Sequence, residues 1–188
     1  GGGQPDGASG NFTATVTTTE TPTDSECNLD NNFDSATATD TATLASPPDV
    51  RISVGLATEG HCIFEDTEAS FKVTAATGSN AHLTEIVLTG LPVGWTYDFS
   101  GLDTDGAGTN VTVDTSQIAL GEVTILFATG FGNDYEGGFK ATPPADSDAD
   151  FGTLTGQVSA ANNVDPSLTS TNSDSQFFET DAVADGND

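Results

Sequence analysis

Hydrophobic and polar residues alternate with a period of two along most of the chain, in short segments bounded by Gly, Pro, Asn or Asp. Such alternation is typical of β-strands with one buried face. Thr and Val dominate these segments, and their branched β-carbons fit the pleated surface of a sheet. The pattern predicts strands over residues 12–19, 35–44, 70–75, 83–89, 95–99, 110–113, 122–128, 151–160 and 176–183.

No segment shows the sustained apolar stripe of a long helix, and residues 116–120 allow one short helical turn at most. Without crossover helices the strands do not belong to a parallel α/β sheet. Many short strands separated by regular turns instead predict an all-β, antiparallel sandwich. Apolar residues at alternate positions predict its core: Ile52, Val54, Phe64, Phe71, Val73, Ile86, Leu88, Trp95, Val111, Val113, Ile125, Phe127, Leu154, Val158 and Phe177.

Two places divide the chain. Residues 1–10 are rich in glycine and predict a flexible leader, and a proline pair at 47–48 stops the ladder of the second strand. A Thr-rich strand, a polar loop and a second strand occupy 12–44, and the same plan returns at 154–183 with its loop over 162–175. We therefore expect residues 11–48 to be the closing hairpin of a preceding repeat and residues 49–188 to be a whole repeat. The alternative is that both hairpins belong to one larger sandwich.

The charge balance is extreme. Asp and Glu number 29 against 3 Lys and Arg, which gives a formal net charge of -26. A compact fold repels itself at such a charge, so we expect Ca²⁺ or another divalent cation, or a high-salt medium, to screen it. Ca²⁺ prefers carboxylate and carbonyl oxygens. The lack of basic residues excludes a nucleic-acid partner and an anionic membrane surface.

The cysteines and the length of the hydrophobic runs indicate where the protein is located. Cys27 and Cys62 are too few for a disulfide framework, and a disulfide between them would need an oxidising compartment. No apolar run is long enough for a transmembrane helix, so we expect no membrane insertion. The composition predicts a secreted, extracellular chain. Two sequons, at Asn11 and Asn110, are candidate glycan sites.

Two short acidic motifs are candidate Ca²⁺ sites. Asp103 and Asp105 precede a glycine, which is the spacing in the front half of a calcium loop, although no Glu closes it. The alternative for this motif is a hairpin turn with solvated acids. Asp146, Asp148 and Asp150 alternate, so that their carboxylates lie on one side of an extended chain. The alternative for them is a solubilising loop.

A third candidate site is formed by acids near the predicted repeat boundaries. Glu65 and Asp66 are expected at one end of the sandwich, with Asp49 after the proline pair, and Asp181 and Asp185 at the other end. In an array these acids would meet at the junctions, where Ca²⁺ would tie rigidity to its concentration. The alternative is that they are ordinary surface charges.

Catalysis has little support in the sequence. The chain has two histidines, His61 and His82, but no G-x-S-x-G elbow that would supply a nucleophilic serine. A pair of carboxylates does not identify a glycosidase site in so acidic a chain. We therefore expect a protein that is not an enzyme. Trp95 with Tyr97 is a candidate sugar platform, and the alternative is a core Trp whose neighbour faces outward.

Five segments in order resemble a known family. They are FEDTEASFKVTA at 64–75, IVLTGLPVGW at 86–95, LDTDGAGTN at 102–110, ATPPADSDADFGTLTGQV at 141–158, and the closing DAVAD at 181–185. In this order they resemble the tandem extender repeats of giant bacterial RTX-type biofilm adhesins. The glycine-rich nonapeptides that name that family are absent, and the segment ATGSNAHLT at 76–84 lacks the acids usual there.

The resemblance implies an immunoglobulin-like or cadherin-like, Greek-key sandwich in a tandem array on the cell surface, stiffened by Ca²⁺ near its junctions. The first hypothesis is therefore a structural extender that holds an adhesive tip away from the cell, in attachment or biofilm formation. Its partners would be neighbouring repeats and a cell-surface or matrix ligand. A second hypothesis is a self-assembling filament or surface-layer subunit whose first hairpin inserts into a neighbour by β-strand addition. A third is a tip module that binds a glycan or ice.

Overall fold

The computed structural model describes residues 9–19, 33–43, 45–58, 60–106, 108–145 and 149–181, and for the first two ranges it describes the backbone only. The chain divides into two compact units, residues 1–46 and 47–188. In the first unit, β1 (Ser9–Thr19) pairs antiparallel with β2 (Phe33–Thr43), from Ser9 opposite Thr43 to Thr19 opposite Phe33. The two strands form a two-stranded sheet.

The second unit consists of strands joined by turns and two short 3₁₀ segments, Ser100–Leu102 and Ile118–Leu120. The second segment lies where the sequence allows one helical turn. The strands are β3 (Val50–Leu56), β4 (Cys62–Phe64), β5 (Ala69–Thr77), β6 (Ala81–Thr89), β7 (Thr96–Asp98), β8 (Val111–Asp114), β9 (Glu122–Phe127), β10 (Asp134–Thr142), β11 (Gly152–Asn162) and β12 (Thr169–Asp181).

Two sheets make up this unit, one with the strand order β3-β5-β10-β7 and one with the order β4-β12-β11-β6-β9-β8. The first order corresponds to strands A-B-E-D of an immunoglobulin domain, and β12-β11-β6 corresponds to G-F-C. The connections β5–β6 and β10–β11 pass between the sheets, as they do in a Greek key. The prediction of an all-β, immunoglobulin-like sandwich is confirmed. Strand β4 departs from the predicted antiparallel pairing, because it runs parallel to β12.

The core lies between the two sheets and is rich in aromatic rings. Phe71 stacks on Phe139 with ring centroids 4.7 Å apart and meets the edge of Phe178 at 5.2 Å. Such contacts add to the free energy of burying the rings. Of the predicted core, these residues are buried: Val54, Phe71, Val73, Ile86, Leu88, Trp95, Val111, Ile125, Leu154 and Val158. Ile52, Val113 and Phe127 are partly buried against it.

Two predicted core residues are wrong by one position. Phe64 is 54% exposed and Phe177 is 50% exposed, whereas their neighbours Ile63 and Phe178 are buried. Successive residues of a strand point to opposite faces, so a shift of one residue exchanges the buried set for the exposed set. Each pair consists of two adjacent apolar residues, and the period alone does not choose between them.

Strands β3, β4 and β10 are missing from the sequence prediction. β10 contains Gly137 and Gly138, which weaken a strand signal. The structure explains Gly138 by close backbone approach: a β-carbon there would lie 2.6 Å from the Phe71 carbonyl oxygen, and one on Gly101 would lie 2.6 Å from the Gly138 carbonyl oxygen. A β-carbon on Gly137 would instead clash with the Tyr135 hydroxyl. The Tyr135 hydroxyl also donates a hydrogen bond to the Leu102 carbonyl at 2.8 Å, which fixes the 3₁₀ segment on β10.

The predicted loop over 162–175 is also shorter than expected, because β12 begins at Thr169. Its polar residues belong to the strand. Asn172 Nδ2 donates to the Val50 carbonyl at 2.9 Å, and the Val54 amide donates to Asp174 Oδ2 at 3.1 Å. These side chains satisfy backbone groups of the neighbouring edge strand β3, and that role explains a polar run inside a strand.

The two neighbouring phenylalanines of β12 test the register. Phe178→Ala removes a ring from the core and should lower the free energy of unfolding by about 3–5 kcal/mol. Phe177→Ala removes a half-exposed ring from the outer face and should change it by about 0.5 kcal/mol. Urea unfolding of both variants measures the difference. Equal losses would show that the register of β12 is wrong.

Candidate functional site

The chain crosses the second unit from one end to the other. We call the end near Asp49 and Val50 the proximal end and the end near Asp181 the distal end. Asn172 lies beside Val50 through its 2.9 Å hydrogen bond, and β12 then runs on to Asp181. At about 3.3 Å per residue, the strand covers roughly 30 Å between these residues. The chain therefore enters and leaves the sandwich at opposite ends.

Four of the predicted Ca²⁺ ligands lie together at the distal end. The Glu65 amide donates to the Asp181 carbonyl at 3.1 Å, and the Thr180 amide donates to Asp150 Oδ1 at 3.0 Å. Asp66 follows Glu65 in a turn with a positive φ of 57°. We expected Glu65 and Asp66 at the end opposite Asp181, and that placement is wrong. Because β4 runs parallel to β12, both strands finish at the same end.

Two distal side chains are buried. Glu65 is 4% exposed, and the Thr180 hydroxyl oxygen is buried with no hydrogen-bond partner among the described residues. A buried oxygen without a partner is uncommon and calls for a physical explanation, such as an ion or a water molecule. The sequence prediction did not include Thr180, because a threonine in a Thr-rich chain carries no distinguishing signal.

Asp49 lies at the proximal end, next to the start of β3. Its Oδ2 is 3.0 Å from Arg51 Nη2, and both side chains are exposed. The Asp49 carbonyl accepts hydrogen bonds from the Thr77 hydroxyl at 3.0 Å and from the Gly78 amide at 3.2 Å. The arginine balances the charge of this carboxylate, and the backbone contacts fix the start of β3.

The carboxylates of the 103–105 motif shape a turn. Asp103 Oδ1 and Oδ2 accept hydrogen bonds from the amides of Gly106 at 3.1 Å and Gly108 at 3.2 Å. Asp105 Oδ2 accepts one from the Asn110 amide at 2.6 Å. Such bonds are typical of acids that stabilise loops. They favour the hairpin-turn alternative for this motif.

Three further predicted ligands, Asp146, Asp148 and Asp185, lie outside the described residues, as does Cys27. Within the ranges that the structure describes, no three His, Cys, Asp or Glu side chains form a group that could hold a metal. Asp146 and Asp148 lie shortly before Asp150 in sequence, and Asp185 lies shortly after Asp181, so that all three are close in sequence to the distal acids.

Charge is unevenly distributed between the two sheets. All three basic residues, Arg51, Lys72 and Lys140, are on strands of the β3-β5-β10-β7 sheet. Each is paired: Arg51 with Asp49, Lys72 with Glu136 at 3.0 Å, and Lys140 with Glu68 at 2.6 Å. The six-stranded sheet contains acids but no Lys or Arg, and solvent cations will concentrate on its outer face.

Neither histidine of the described chain lies in its largest-volume surface depression among those characterised. An open depression of about 420 Å³ lies on the outer face of β3, β5 and β10 and is lined by Arg51, Tyr135 and Glu136 among others. His82 Nδ1 is 2.7 Å from Asn163 Oδ1, and the His61 ring faces Phe178 at 6.1 Å. Neither histidine lines that depression.

The predicted sugar platform does not form. Trp95 is 8% exposed and meets Phe151 edge-on at 5.2 Å. The Tyr97 hydroxyl donates to the Pro92 carbonyl at 2.8 Å, and burial raises the pKa of this phenol. The core alternative for Trp95 is correct. Asn110, by contrast, is exposed with Thr112, as a glycan acceptor must be, and Asn11 lies on β1.

Cys62 is an exposed free thiol on β4. The negative charge of Asp181 raises the pKa of this thiol, and loss of solvation, a hydrogen bond to Asp181 and the charge of Glu179 raise it further. The thiolate is the reactive form, so these acids suppress reactivity at this position.

In the part of the chain that the structure describes, no helix has the length and apolar character needed to cross a membrane. No protein-family model matches the chain, and no curated protein sequence matches it.

Solved structures with a similar fold include the major pilin subunit BcpA of Bacillus cereus, at 10% sequence identity and a TM-score of 0.49, covering 89% of this chain and 48% of that chain. A point variant of the same pilin gives 11% identity, a TM-score of 0.48 and the same coverage. A DUF4466 family protein from Parabacteroides merdae gives 10% identity and a TM-score of 0.42, covering 70% of this chain and 43% of that chain. The chain thus spans less than half the length of each.

Removing the neighbouring charge should activate the thiol. Asp181→Asn should lower the Cys62 pKa and shift the pH dependence of its alkylation to lower pH, because the largest cause of the raised pKa is lost. The rate is measured at Cys62 by mass spectrometry, in a chain with Cys27→Ser. Asp66→Asn, at the same end, is the control and should leave the profile unchanged. Identical profiles in all three proteins would contradict the assignment.

Proposed function

We propose that the chain is a structural module of an extracellular assembly, an extender that carries load between its two ends, and that it is not an enzyme. The observation that supports this most directly is the path of the chain, which enters at the proximal end and leaves at the distal end. A segment in a linear array needs this path, because successive modules then continue in one direction.

The pairing of the last strand suits such a load. β4 and β12 are parallel, with Glu179 opposite Cys62 and Asp181 opposite Phe64. A pull that separates Val50 from Asp181 draws β3 and β4 one way and β12 the other. The hydrogen bonds between β4 and β12 lie across that pull and resist it together. Side-chain contacts from Asn172 and Asp174 to β3 add to the resistance.

Ca²⁺ is the proposed stiffening ion at the distal end. Glu65, Asp150 and Asp181 lie on neighbouring segments at this end, and the Thr180 hydroxyl adds a buried oxygen without a partner among the described residues. No three described acids form a group that could hold the ion by themselves, so the proposal needs further ligands, from elsewhere in the chain or from the next module. Carboxylates and neutral oxygens are the ligands that Ca²⁺ prefers. The net charge of -26 adds a general attraction for cations. In an array, this ion would sit where one module ends and the next begins.

A filament or surface-layer subunit is the second candidate function. The observation that favours it is the β1–β2 hairpin, which forms a separate two-stranded sheet. In the extender this hairpin belongs to a neighbouring repeat, whereas in a filament it joins one subunit to the next. In both cases the partners are further copies of the same fold, outside the cell. Biofilm formation or attachment would be the role of the parent assembly.

Chelation tests the calcium mechanism. Thermal unfolding is followed with Ca²⁺ and with excess chelator at matched ionic strength. At a Ca²⁺ concentration about 100-fold above Kd, binding to the folded state alone adds about 2.7 kcal/mol. The melting temperature should therefore fall on chelation and recover with Ca²⁺ but not with Na⁺.

Matched carboxylate variants locate the ion. The pair Glu65→Gln and Asp150→Asn should abolish the calcium-dependent part of the melting temperature. Asp134→Asn, an exposed proximal carboxylate on β10, makes the same kind of charge change and should leave it intact. A melting temperature that is indifferent to chelation would overturn the calcium mechanism. The charge would then be explained by a salty medium.

A further inference from the structure

Among the described edge strands, β1 is distinguished by being both long and uncharged. Over eleven residues, Ser9–Thr19, it contains no Asp, Glu, Lys or Arg, in a chain with a net charge of -26. The other uncharged strand of this length, Gly152–Asn162 (β11), lies inside its sheet between β12 and β6. Edge strands are normally protected by charged residues, proline or short length. β1 therefore has the composition of a strand with a neighbour on each side.

Four of the five other edge strands in the described part of the chain carry such protection, and the fifth is β8. β2 contains Asp34 and Asp40, and β3 contains Arg51. β4 and β7 are three residues long. The free side of β3 is also covered, because Asn172 and Asp174 bind its Val50 carbonyl and Val54 amide. Within the described residues, β1 pairs with β2 alone and has an open second edge.

The register of the hairpin shows where its charge lies. Thr13 is opposite Thr39, and Thr15 is opposite Thr37. Both acids of its two strands are on β2, where Asp40 is opposite Phe12. A two-stranded sheet is marginally stable in water, and three or more strands are needed for independent stability. The hairpin thus calls for a third strand, and β1 is the side without charge.

β8 offers an edge that fits this requirement. The Ala128 amide donates to the Asn110 carbonyl at 2.8 Å, and the antiparallel register continues through Val111 opposite Phe127 and Thr112 opposite Leu126. Hydrogen-bonding direction alternates along a strand, so the backbone groups of Val111 and Val113 point away from β9. No other strand pairs with this side of β8 in the described part of the chain.

Apolar side chains are incompletely covered at this side of the sandwich. Val113, Ile118, Phe127 and Phe131 pack against the core but are only partly buried, and the rings of Phe127 and Phe131 stack at 4.5 Å. Asp114 ends β8, so an incoming strand without acids avoids repulsion from the edge it joins. A strand added to this edge would cover more of these side chains.

We propose that the free edge of β1 in one copy pairs with the free edge of β8 in a second copy, so that the hairpin extends the six-stranded sheet of its neighbour. This proposal rests on the filament function suggested above. Donor and acceptor are different surfaces, so each copy keeps one of each free after pairing. Such heterologous contacts produce open chains of subunits rather than closed dimers.

Two variants of the hairpin test the donor edge. Thr15→Asp places a charge in the middle of β1, and Thr37→Asp places the same charge directly opposite it on β2, which already contains acids. Self-association is measured by sedimentation velocity over a range of protein concentrations, at an ionic strength that screens the net charge. Thr15→Asp should weaken association by at least about tenfold, and Thr37→Asp by about twofold or less. Equal losses would show that the hairpin fold, not the edge, controls association.

A third variant tests the acceptor. Val113→Pro removes the outward amide of β8, with Thr112→Asp in its place if the proline lowers the melting temperature. At protein concentrations up to about the association midpoint of the wild-type chain, each variant alone should sediment as a monomer, but Thr15→Asp mixed with Val113→Pro should form a heterodimer, because the mixture retains one intact donor and one intact acceptor. Wild-type-like assembly of both acceptor variants would overturn the proposal in favour of symmetric β1–β1 pairing. A monomeric wild-type chain would overturn both this proposal and the filament function. The calcium-dependent extender is tested separately, by the chelation experiment.

Discussion

Strand β12 is held by contacts in three directions, and the arrangement of the second unit depends on them. It pairs antiparallel with β11, parallel with β4, and reaches across to β3 through Asn172 and Asp174. It therefore links the two sheets to each other and runs from the proximal end to the distal end. Phe178 anchors it in the core through contacts with Phe71 and Phe151. Because β4 follows the direction of β12, the acids that follow each strand gather at the distal end.

The fold must also accommodate a large excess of acidic over basic residues. The three basic residues are all used in ion pairs on one sheet, and the opposite sheet has none. Exposed pairs of this kind contribute little to stability, so the buried apolar core must supply most of it. No Lys or Arg is left over for the distal acids, which is why a cation from solution is proposed there. This imbalance links the composition to the proposed cation, and it also explains why an uncharged strand such as β1 stands out.

Much of the fold follows from the sequence, and the site follows only in part. The two-residue period predicts the sandwich and most of its strands, since Val, Thr and Phe at alternate positions have few other stable arrangements. It does not separate Ile63 from Phe64 or Phe177 from Phe178, because both members of each pair are apolar. The Gly137–Gly138 pair weakens the strand signal of β10, because the contacts that require glycine there involve Phe71 and Gly101, which are distant in sequence. The grouping of Glu65 with Asp181 depends on the parallel pairing of a three-residue strand, which no local pattern encodes.

Directional pulling tests whether the second unit bears load between its opposite ends. In single-molecule experiments, handles at residues 49 and 181 load the β4–β12 hydrogen bonds together, whereas handles at residues 49 and 163, both at the proximal end, peel strands apart one bond at a time. We expect a clearly higher unfolding force for the first pair of handles than for the second. Equal forces, or a lower force along the long axis, would contradict this expectation.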